Sequence, residues 1–329
     1  MIILSREQVR DFLMDELSCL RSYNTFRTDN GKNLVMGLAA NYNKEKIFSF
    51  VTSLRNSGYA DDVVLLTTCL DEETISFLKY WNVIPVKCWQ SLFSYLHMQS
   101  FRHIAYYDYL SNLPPEGCYK RIFLTDVRDV VFQENPFDVI PEDNITFFLE
   151  DRHLSIGSCP WNSQWVRTGF GEEELTKIAD KPISCSGTVM GTSSSIMEYL
   201  LQMLILSTFL REEALGEISM DQAVHNVLIY RQLISDQRIA ENGDGVLTLA
   251  HLLGPSPVLI SEDKFTAILG REPVFVDNSG IVYYSTRKFA VVHQYDRVVE
   301  LSEIIRNRWR AEGMLQEREQ IPSHSELSK

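Results

Sequence analysis

Several features are scarce in this chain of 329 residues, and each absence narrows what it can be. There is no apolar run long enough to cross a bilayer. Residues 199–210 are the greasiest stretch, and Gln202, Ser207 and Thr208 interrupt it. The opening Met1-Ile-Ile-Leu4 is too short for the apolar core of a secretory leader, so a cytoplasmic location is expected. The six cysteines, at 19, 69, 88, 118, 159 and 185, form no close pair and no zinc-ligand spacing. Reduced thiols account for them, several serving as small buried hydrophobes. Basic charge is in deficit: 31 Lys plus Arg stand against 44 Asp plus Glu, a formal net charge of −13. A surface that acidic repels a phosphate backbone, so no nucleic-acid partner is expected. Any small anionic ligand would need local relief from a bound cation or a basic pocket.

What is present is an ordinary globular mixture, 45% apolar and 23% charged, in a chain long enough to bury a substantial core. Residues 6–24 have the pattern of an amphipathic helix. Residues 33–40 form a first apolar strand, 44–57 a helix with Ile47, Phe48, Val51 and Leu54 on one face, and Gly58 its stop. Strand 63–67, helix 72–80 and strand 83–86 follow, then a helix over 91–110 and strands 122–126 and 145–149. Strands alternating with helices in this way predict an α/β fold with a doubly wound, mostly parallel central sheet. Residues 152–182 lose the apolar period and are expected to be irregular or to hold short helices. Helices are expected over 194–215 and 221–235. Short strands are expected at 258–260, 274–276, 281–284 and 290–292, with a hairpin turn at Asp277-Asn-Ser-Gly280. A polar helix over 300–318 and a disordered tail from Pro322 complete the reading.

Chemistry concentrates in residues 121–137. The apolar run Ile122-Phe-Leu124 leads straight into Asp126 and Asp129, and a second apolar run, Val130-Val-Phe132, follows. This places the acids at the carboxyl end of a central strand, where open α/β sheets bind ligands. Residues three apart in a strand point to opposite faces, so both acids reach one ion only if the chain turns at Val127-Arg128. Two hard oxygen donors at such a turn suit a divalent cation that keeps other positions for water and phosphate. A turn capped by Asp126, with Asp129 paired to Arg128 or Arg121, is the plainer alternative.

Other segments extend this motif into a resemblance. Asp126-Val-Arg-Asp129 resembles the acidic metal motif of GT-A glycosyltransferases, usually Asp-x-Asp, with two residues between the acids instead of one. Ser184-Cys-Ser-Gly-Thr-Val-Met-Gly191 resembles the sugar-contacting strand of retaining members related to glycogenin, with Cys185 where Asn is often found. Asp221-Gln-Ala-Val-His-Asn226 matches their Asp-Gln-x-x-x-Asn helix start. Val291-Val-His-Gln-Tyr-Asp-Arg297 is similar to the late strand and histidine that complete their metal site. The four occur in the family's order.

The resemblance implies a GT-A fold over residues 1–318, with a nucleotide-sugar-binding half at 30–150, a smaller acceptor-binding β/helical half at 151–318 and a tail at 319–329. It implies transfer of a sugar from a nucleotide diphosphate sugar to a carbohydrate, lipid or protein acceptor, with retention of configuration. The implied cofactor is Mn²⁺ or Mg²⁺, and a carboxylate and imidazole shell favours Mn²⁺. Its implied ligands are Asp129, His293 and Asp126, the last sharing the ion or holding the ribose. Asn41 and Tyr42 would contact base and ribose, Arg102 the donor phosphate, and Ser186 and Gly187 the sugar. Asp221 would face the reacting sugar, with Gln222 beside it. Each has a plainer role: a strand-to-helix turn for Asn41, a surface ion pair for Arg102, a bulge for Gly187, an N-cap for Asp221, a core histidine for His293. His225, one turn from Asp221, is expected to pack or to support its neighbours. Two rival functions remain. A sugar-nucleotide nucleotidyltransferase would open with a Gly-rich loop after strand one, which Asn41-Tyr-Asn-Lys44 lacks. A non-catalytic carbohydrate-binding relative has little reason to keep acids and a histidine together.

Overall fold

The computed structural model describes residues 5–23, 29–88, 98–114, 117–249, 265–269, 272–277, 280–284, 287–297 and 299–319. After helix α1 (Arg6–Tyr23) the chain alternates: β1 (Asn33–Leu38), α2 (Lys44–Asn56), β2 (Asp62–Thr67), α3 (Glu72–Tyr80), β3 (Val83–Lys87), α4 (Met98–Ser111) and β4 (Arg121–Thr125). Local chemistry sets these boundaries. Asn43 caps α2 by accepting from Lys46 N, and Asp71 caps α3 by accepting from Thr74 N. Gly58, at φ 87°, ends the first of them in a conformation that glycine adopts without strain.

The middle of the chain supplies β5 (Val130–Phe132), α5 (Pro136–Val139), β6 (Ile145–Leu149), α6 (Pro160–Phe170), α7 (Glu172–Ile178), β7 (Ser184–Thr192), α8 (Ser193–Ser207), α9 (Met220–Tyr230), β8 (Gln237–Ala240) and β9 (Val246–Thr248). Strands β10 (Phe265–Leu269), β11 (Glu272–Val276), β12 (Val282–Tyr284), β13 (Arg287–Lys288) and β14 (Val291–His293), then α10 (Val299–Glu319), complete it.

Seven strands form the central sheet in the order β3-β2-β1-β4-β7-β6-β8. All pair in parallel except β7, which runs against both β4 and β6. The α/β class with a mostly parallel central sheet is therefore as expected from the alternation. Strand period 2 divides the core. Leu34, Met36, Ile122 and Leu124 pack toward α4, α8 and α9, while Val35, Val63, Leu65 and Phe123 pack toward α2 and α3. Both faces are thus covered, which is why the strands read as continuous apolar runs rather than alternating ones. The expected face of α2, Ile47, Phe48, Val51 and Leu54, is fully buried in the second layer, each side chain contributing about 1.5–3 kcal/mol.

Two smaller sheets flank the large one: β5-β14-β9, and β10-β11-β12-β13, which is antiparallel throughout. The expected hairpin joins β11 to β12, with Asn278 and Ser279 of its turn outside the described residues. The expected strand 258–260, residues 91–97 of the fourth helix and the tail from 322 also lie outside them.

Residues 152–182 hold two short helices, one of the two forms expected there, with Pro160 starting the first and Gly171, at φ 96°, separating them. Some boundaries differ from expectation. Helix α8 stops at Ser207 and a 3₁₀ turn at Glu212–Ala214 follows, the intervening chain being tied to α6 by Arg211 N donating to Gly169 O. Helix α9 ends at Tyr230, and Gln232 takes up a left-handed φ of 54° just beyond it. The six cysteines are free thiols, with Cys118, Cys159 and Cys185 buried. Among the described residues no helix is long and apolar enough to cross a membrane.

Candidate metal centre and cavity

Strand β4 is wholly buried, and its ladder continues one residue past its end, where Asp126 N donates to Gly187 O at 2.8 Å. The chain then turns through Val127, Arg128 and Asp129 before β5 begins, the turn on which joint use of the two acids depended. Gly37 in β1 makes room for it: a Cβ there would meet Val127 Cγ2 at 2.4 Å. Strand β5 pairs antiparallel with β14, and this register sets His293 opposite Val130, next to Asp129. Gln294 N locks the pair by donating to Asp129 O at 2.7 Å.

Three ligand-type atoms converge as a result. His293 Nε2 lies 3.3 Å from Asp126 Oδ2 and 4.0 Å from Asp129 Oδ1, and one atom from each residue falls within 4.8 Å of the others. Metal bonds of about 2.1 Å put adjacent ligands of an octahedral ion ~3.0 Å apart and opposite ones ~4.2 Å apart. The spacing fits. Gly187 completes the cradle, since a Cβ on it would lie 2.5 Å from Asp126 Oδ2 and 2.6 Å from His293 Cε1. His293 is fully buried and Asp129 nearly so, while Asp126 is half-buried. Two carboxylates and an imidazole suit a divalent cation of hard or borderline character. This buried group is one that could hold a metal ion.

The three groups of the cluster shift one another's ionisation. Burial works against ionising Asp126, but the Arg102 guanidinium and His293 outweigh it and hold the carboxyl well below its usual range. Asp129 is raised, chiefly by burial and also by Asp126 and Asp296. Burial also opposes the charge on His293, yet Cys185 and the two carboxylates lift its pKa well above 6.5. Its other ring nitrogen, Nδ1, faces Cys185 Sγ at 3.6 Å.

Arg102 lines the cavity over this cluster, with its charge engaged by the wall itself. Its fork bridges two carboxylates, Nη1 meeting Asp126 Oδ1 and Nη2 meeting Asp221 Oδ2, each at 2.5 Å. Nη2 also donates to Ser186 O at 3.1 Å and Ser186 Oγ at 3.0 Å. The side chain is only 7% exposed, so its charge is already matched within the wall of the site. Burial disfavours that charge, but Asp221 and Asp126 more than compensate and raise the pKa further. Asp221 itself is not the N-cap of α9. Ser219, at φ 64°, holds that place, and the Asp221 carboxylate instead accepts from Arg102 and from Ser186 Oγ.

The rest of the α9 start grips β7. Gln222 Oε1 accepts from Ser186 N at 2.8 Å and its Nε2 donates to Ser184 O at 2.7 Å. Asn226 Oδ1 accepts from Ser184 N at 2.9 Å and its Nδ2 donates to Ser184 O at 3.0 Å. Side-chain amides thus replace a neighbouring strand where the β6–β7 register shifts between Phe147 and Leu149. In the same stretch of β7, Gly187 lies against Asp126. Gln222 therefore positions the strand. His225 is fully buried, held between Ser184 Oγ and Tyr199 Oη at 2.9 Å each, and burial pushes its pKa down to about 3. It packs as a neutral core histidine.

A cavity of ≈ 730 Å³ opens over this cluster, lined by Asp126, Asp129, Ser186, Gly187, Asp221 and Gln222 together with residues from both sides of the sheet. Tyr42 lines it, half-buried at the end of β1. Asn41 does not. It is exposed, at φ 56°, and exchanges hydrogen bonds with Thr68 Oγ1, the turn role that its position also allowed. Sequence reasoning passed over Arg128, Arg297, Gln294, Glu150, Trp161 and Trp165, all on the cavity wall. Arg128 and Arg297 are the exposed cations there, although both pair with Asp296, at 3.0 and 3.5 Å, and Arg128 also lies 3.6 Å from Asp129. Gln294 combines a strained φ of 61° with a buried side-chain oxygen that has no hydrogen-bond partner among the described residues. Arg128 and Gln294 sit inside motifs noticed for their acids and histidine, and that adjacency was the available signal. No protein-family model matches the chain, and a search of curated proteins finds no significant match.

Proposed function

We propose that this chain is a divalent-cation-dependent glycosyltransferase of the GT-A type, moving a sugar from a nucleotide diphosphate sugar to an acceptor. The observation that carries the reading is the convergence of Asp126, Asp129 and His293 at the carboxyl edge of the parallel strands. Beside it stands a third acid, Asp221, on the wall of the same cavity. Asp126, Asp129 and His293 would hold the ion, Mn²⁺ in preference to Mg²⁺. When bound, it would supply positive charge against the donor diphosphate and the leaving group that develops from it.

The chain's own residues would do the remaining work. Arg128 and Arg297 face the cavity with exposed guanidinium groups and would take the outer phosphate charge, the part first assigned to Arg102. Arg102 would instead fix Asp126 and Asp221 relative to each other, holding the carboxylate meant for the sugar at a set distance from the ion site. Asp221, at the second position of α9, lies where the helix dipole favours negative charge. From there it would stabilise positive charge growing on the sugar ring, an arrangement consistent with retention. Tyr42 would pack against the nucleoside. Gly187 lets Asp126 and His293 close on the ion position, since a side chain there would collide with both.

The direct test is a panel of nucleotide sugars with Mn²⁺, read by thermal shift and by release of nucleoside diphosphate. One donor should stabilise the protein and be turned over. Neither stabilisation nor release across uridine, guanosine, cytidine and adenosine diphosphate sugars would defeat the proposal.

A further inference from the structure

Trp161 is the most exposed large aromatic side chain of the described residues, at 67% of its surface, and it sits on the wall of the candidate cavity. Leaving an indole in water forgoes burial worth about 2–3 kcal/mol, so an exposed Trp at a cavity mouth calls for an occupant. Trp165 lies one helical turn further along α6 and lines the same cavity. The two rings stand 6.4 Å apart and are inclined by 32°, forming a shallow aromatic surface.

The helix that carries the rings is anchored. Asn162, between the two rings in sequence and nearly fully buried, donates through Nδ2 to Cys159 Sγ and accepts at Oδ1 from Gln222 Nε2 at 3.4 Å. Val166 is buried on the inner side of the same helix, and Gly169 lets Leu210 close against it. A helix anchored in this way presents both indoles from a fixed backbone, leaving only their side-chain rotamers to be ordered by a ligand.

Topology places these rings on the far side of the ion ligands from the nucleoside end. Strands β1, β4 and β6 all point the same way, so the segments after them, carrying Tyr42, Asp126 and Trp161, emerge at one edge of the sheet. Along that edge the order is β1, β4, β7, β6, with Asp126 and Gly187 between Tyr42 and the tryptophans. Polar groups share the cavity with the rings, among them Ser219, Asp221 and the buried Glu150. An apolar face that shares a cavity with such groups matches a pyranose, whose C–H face carries slight positive charge toward the negative face of an indole and whose hydroxyls lie at its rim.

We infer that Trp161 and Trp165 form a stacking platform for a pyranose ring of a carbohydrate acceptor. This rests on the transferase reading for the word acceptor, but binding can be measured without it. The protein would be screened on a glycan array with no metal or nucleotide sugar present, and the best saccharide titrated by tryptophan fluorescence. The wild type should bind at least one pyranose-containing glycan with a change in emission. Trp161→Ala should weaken that binding by about tenfold and Trp161→Phe by less, with Mn²⁺ and nucleoside diphosphate affinities unchanged in both. Because the ring is exposed, unfolding is not expected, and an unaltered melting temperature would verify this. A wild type that binds no glycan, or a Trp161→Ala protein that binds as the wild type does, overturns the inference. So does a variant that loses nucleoside diphosphate affinity but keeps its glycan, for the rings would then stack on a base. Glycan binding that survives alongside a failed donor screen would remove the transferase and leave the platform standing.

Discussion

Replacing Gly187 by Ala perturbs the candidate ion site with a single methyl group. The backbone at Gly187 lies outside the left-handed region, so Ala meets no conformational penalty, and the effect comes from space alone. The new Cβ would lie 2.5 Å from Asp126 Oδ2 and 2.6 Å from His293 Cε1, where real Cβ atoms keep at least 3.0 Å. Carboxylate and ring must therefore each move by about half an ångström, whereas metal ligands tolerate only ~0.2 Å. Overpacking of this kind costs about 1–3 kcal/mol of stability, and distortion of ligand geometry about 10–100-fold in ion affinity. At an ion concentration one hundred times the wild-type dissociation constant, bound Mn²⁺ adds ~2.7 kcal/mol to folding stability. A roughly 30-fold loss leaves ~0.9 kcal/mol at the same concentration. With an unfolding entropy near 2.1 cal/mol/K per residue, the wild type should gain about 4 °C from Mn²⁺ and the variant about 1 °C. Each shift is measured against the same protein in EDTA, which removes the variant's own loss of stability from the comparison. Titration calorimetry gives the affinities independently. If Gly187→Ala binds Mn²⁺ within twofold of wild type, the ion does not sit between Asp126 and His293.

Other perturbations probe different parts of the site. Nucleotide diphosphate sugar should raise the melting temperature with Mn²⁺ present and leave it nearly unchanged in excess EDTA; equal shifts in both would remove the ion from donor binding. Asp221→Asn keeps an acceptor for Arg102 but removes one of the two charges that match it, so it should cost about 1–3 kcal/mol of stability. Turnover should fall by roughly a hundredfold or more while nucleoside diphosphate still binds, and near-normal turnover would reduce Asp221 to a structural partner. His293 has a raised pKa, so its charged form stabilises the ion-free protein at low pH, and that contribution is lost as pH rises through the raised value. An ion must displace that proton, so Mn²⁺ stabilisation should grow with pH above 6.5 in wild type and be nearly absent in His293→Ala. A Mn²⁺ shift independent of pH from 6 to 9 would show that His293 is not a ligand.

Much of the frame was legible because its causes are local. Apolar runs with period 2 or 3.6, capped by Asn43 and Asp71 and stopped by Gly58, mark β1 to α3 within a residue or two of their observed ends. The pair Asp126 and Asp129 was legible as two acids between apolar strands, while the turn that lets both reach one ion was a condition that the structure meets. Residues 160–178 were less so. Their helices depend on burying single residues such as Val166 and Leu175 against α9 and the sheet, which leaves little periodic trace.

What only tertiary structure decided is which distant groups meet, since that depends on strand register and not on any local pattern. Antiparallel pairing of β5 with β14 brings His293 beside Asp129, and a shift by one residue would turn its ring to the opposite face. Arg102 looked available for a donor phosphate because the sequence shows its charge and not its neighbours. The fold buries its guanidinium between Asp126 and Asp221, where an unmatched charge would be prohibitive, and leaves Arg128 and Arg297 facing the cavity. Likewise Asp221 had the position of a helix cap, but Ser219 takes the turn and frees the carboxylate for the site. The sequence by itself determined the sheet, the acidic pair and the types of side chain available. Three-dimensional packing determined which of them share one cavity, because burial makes each charge depend on partners far away along the chain.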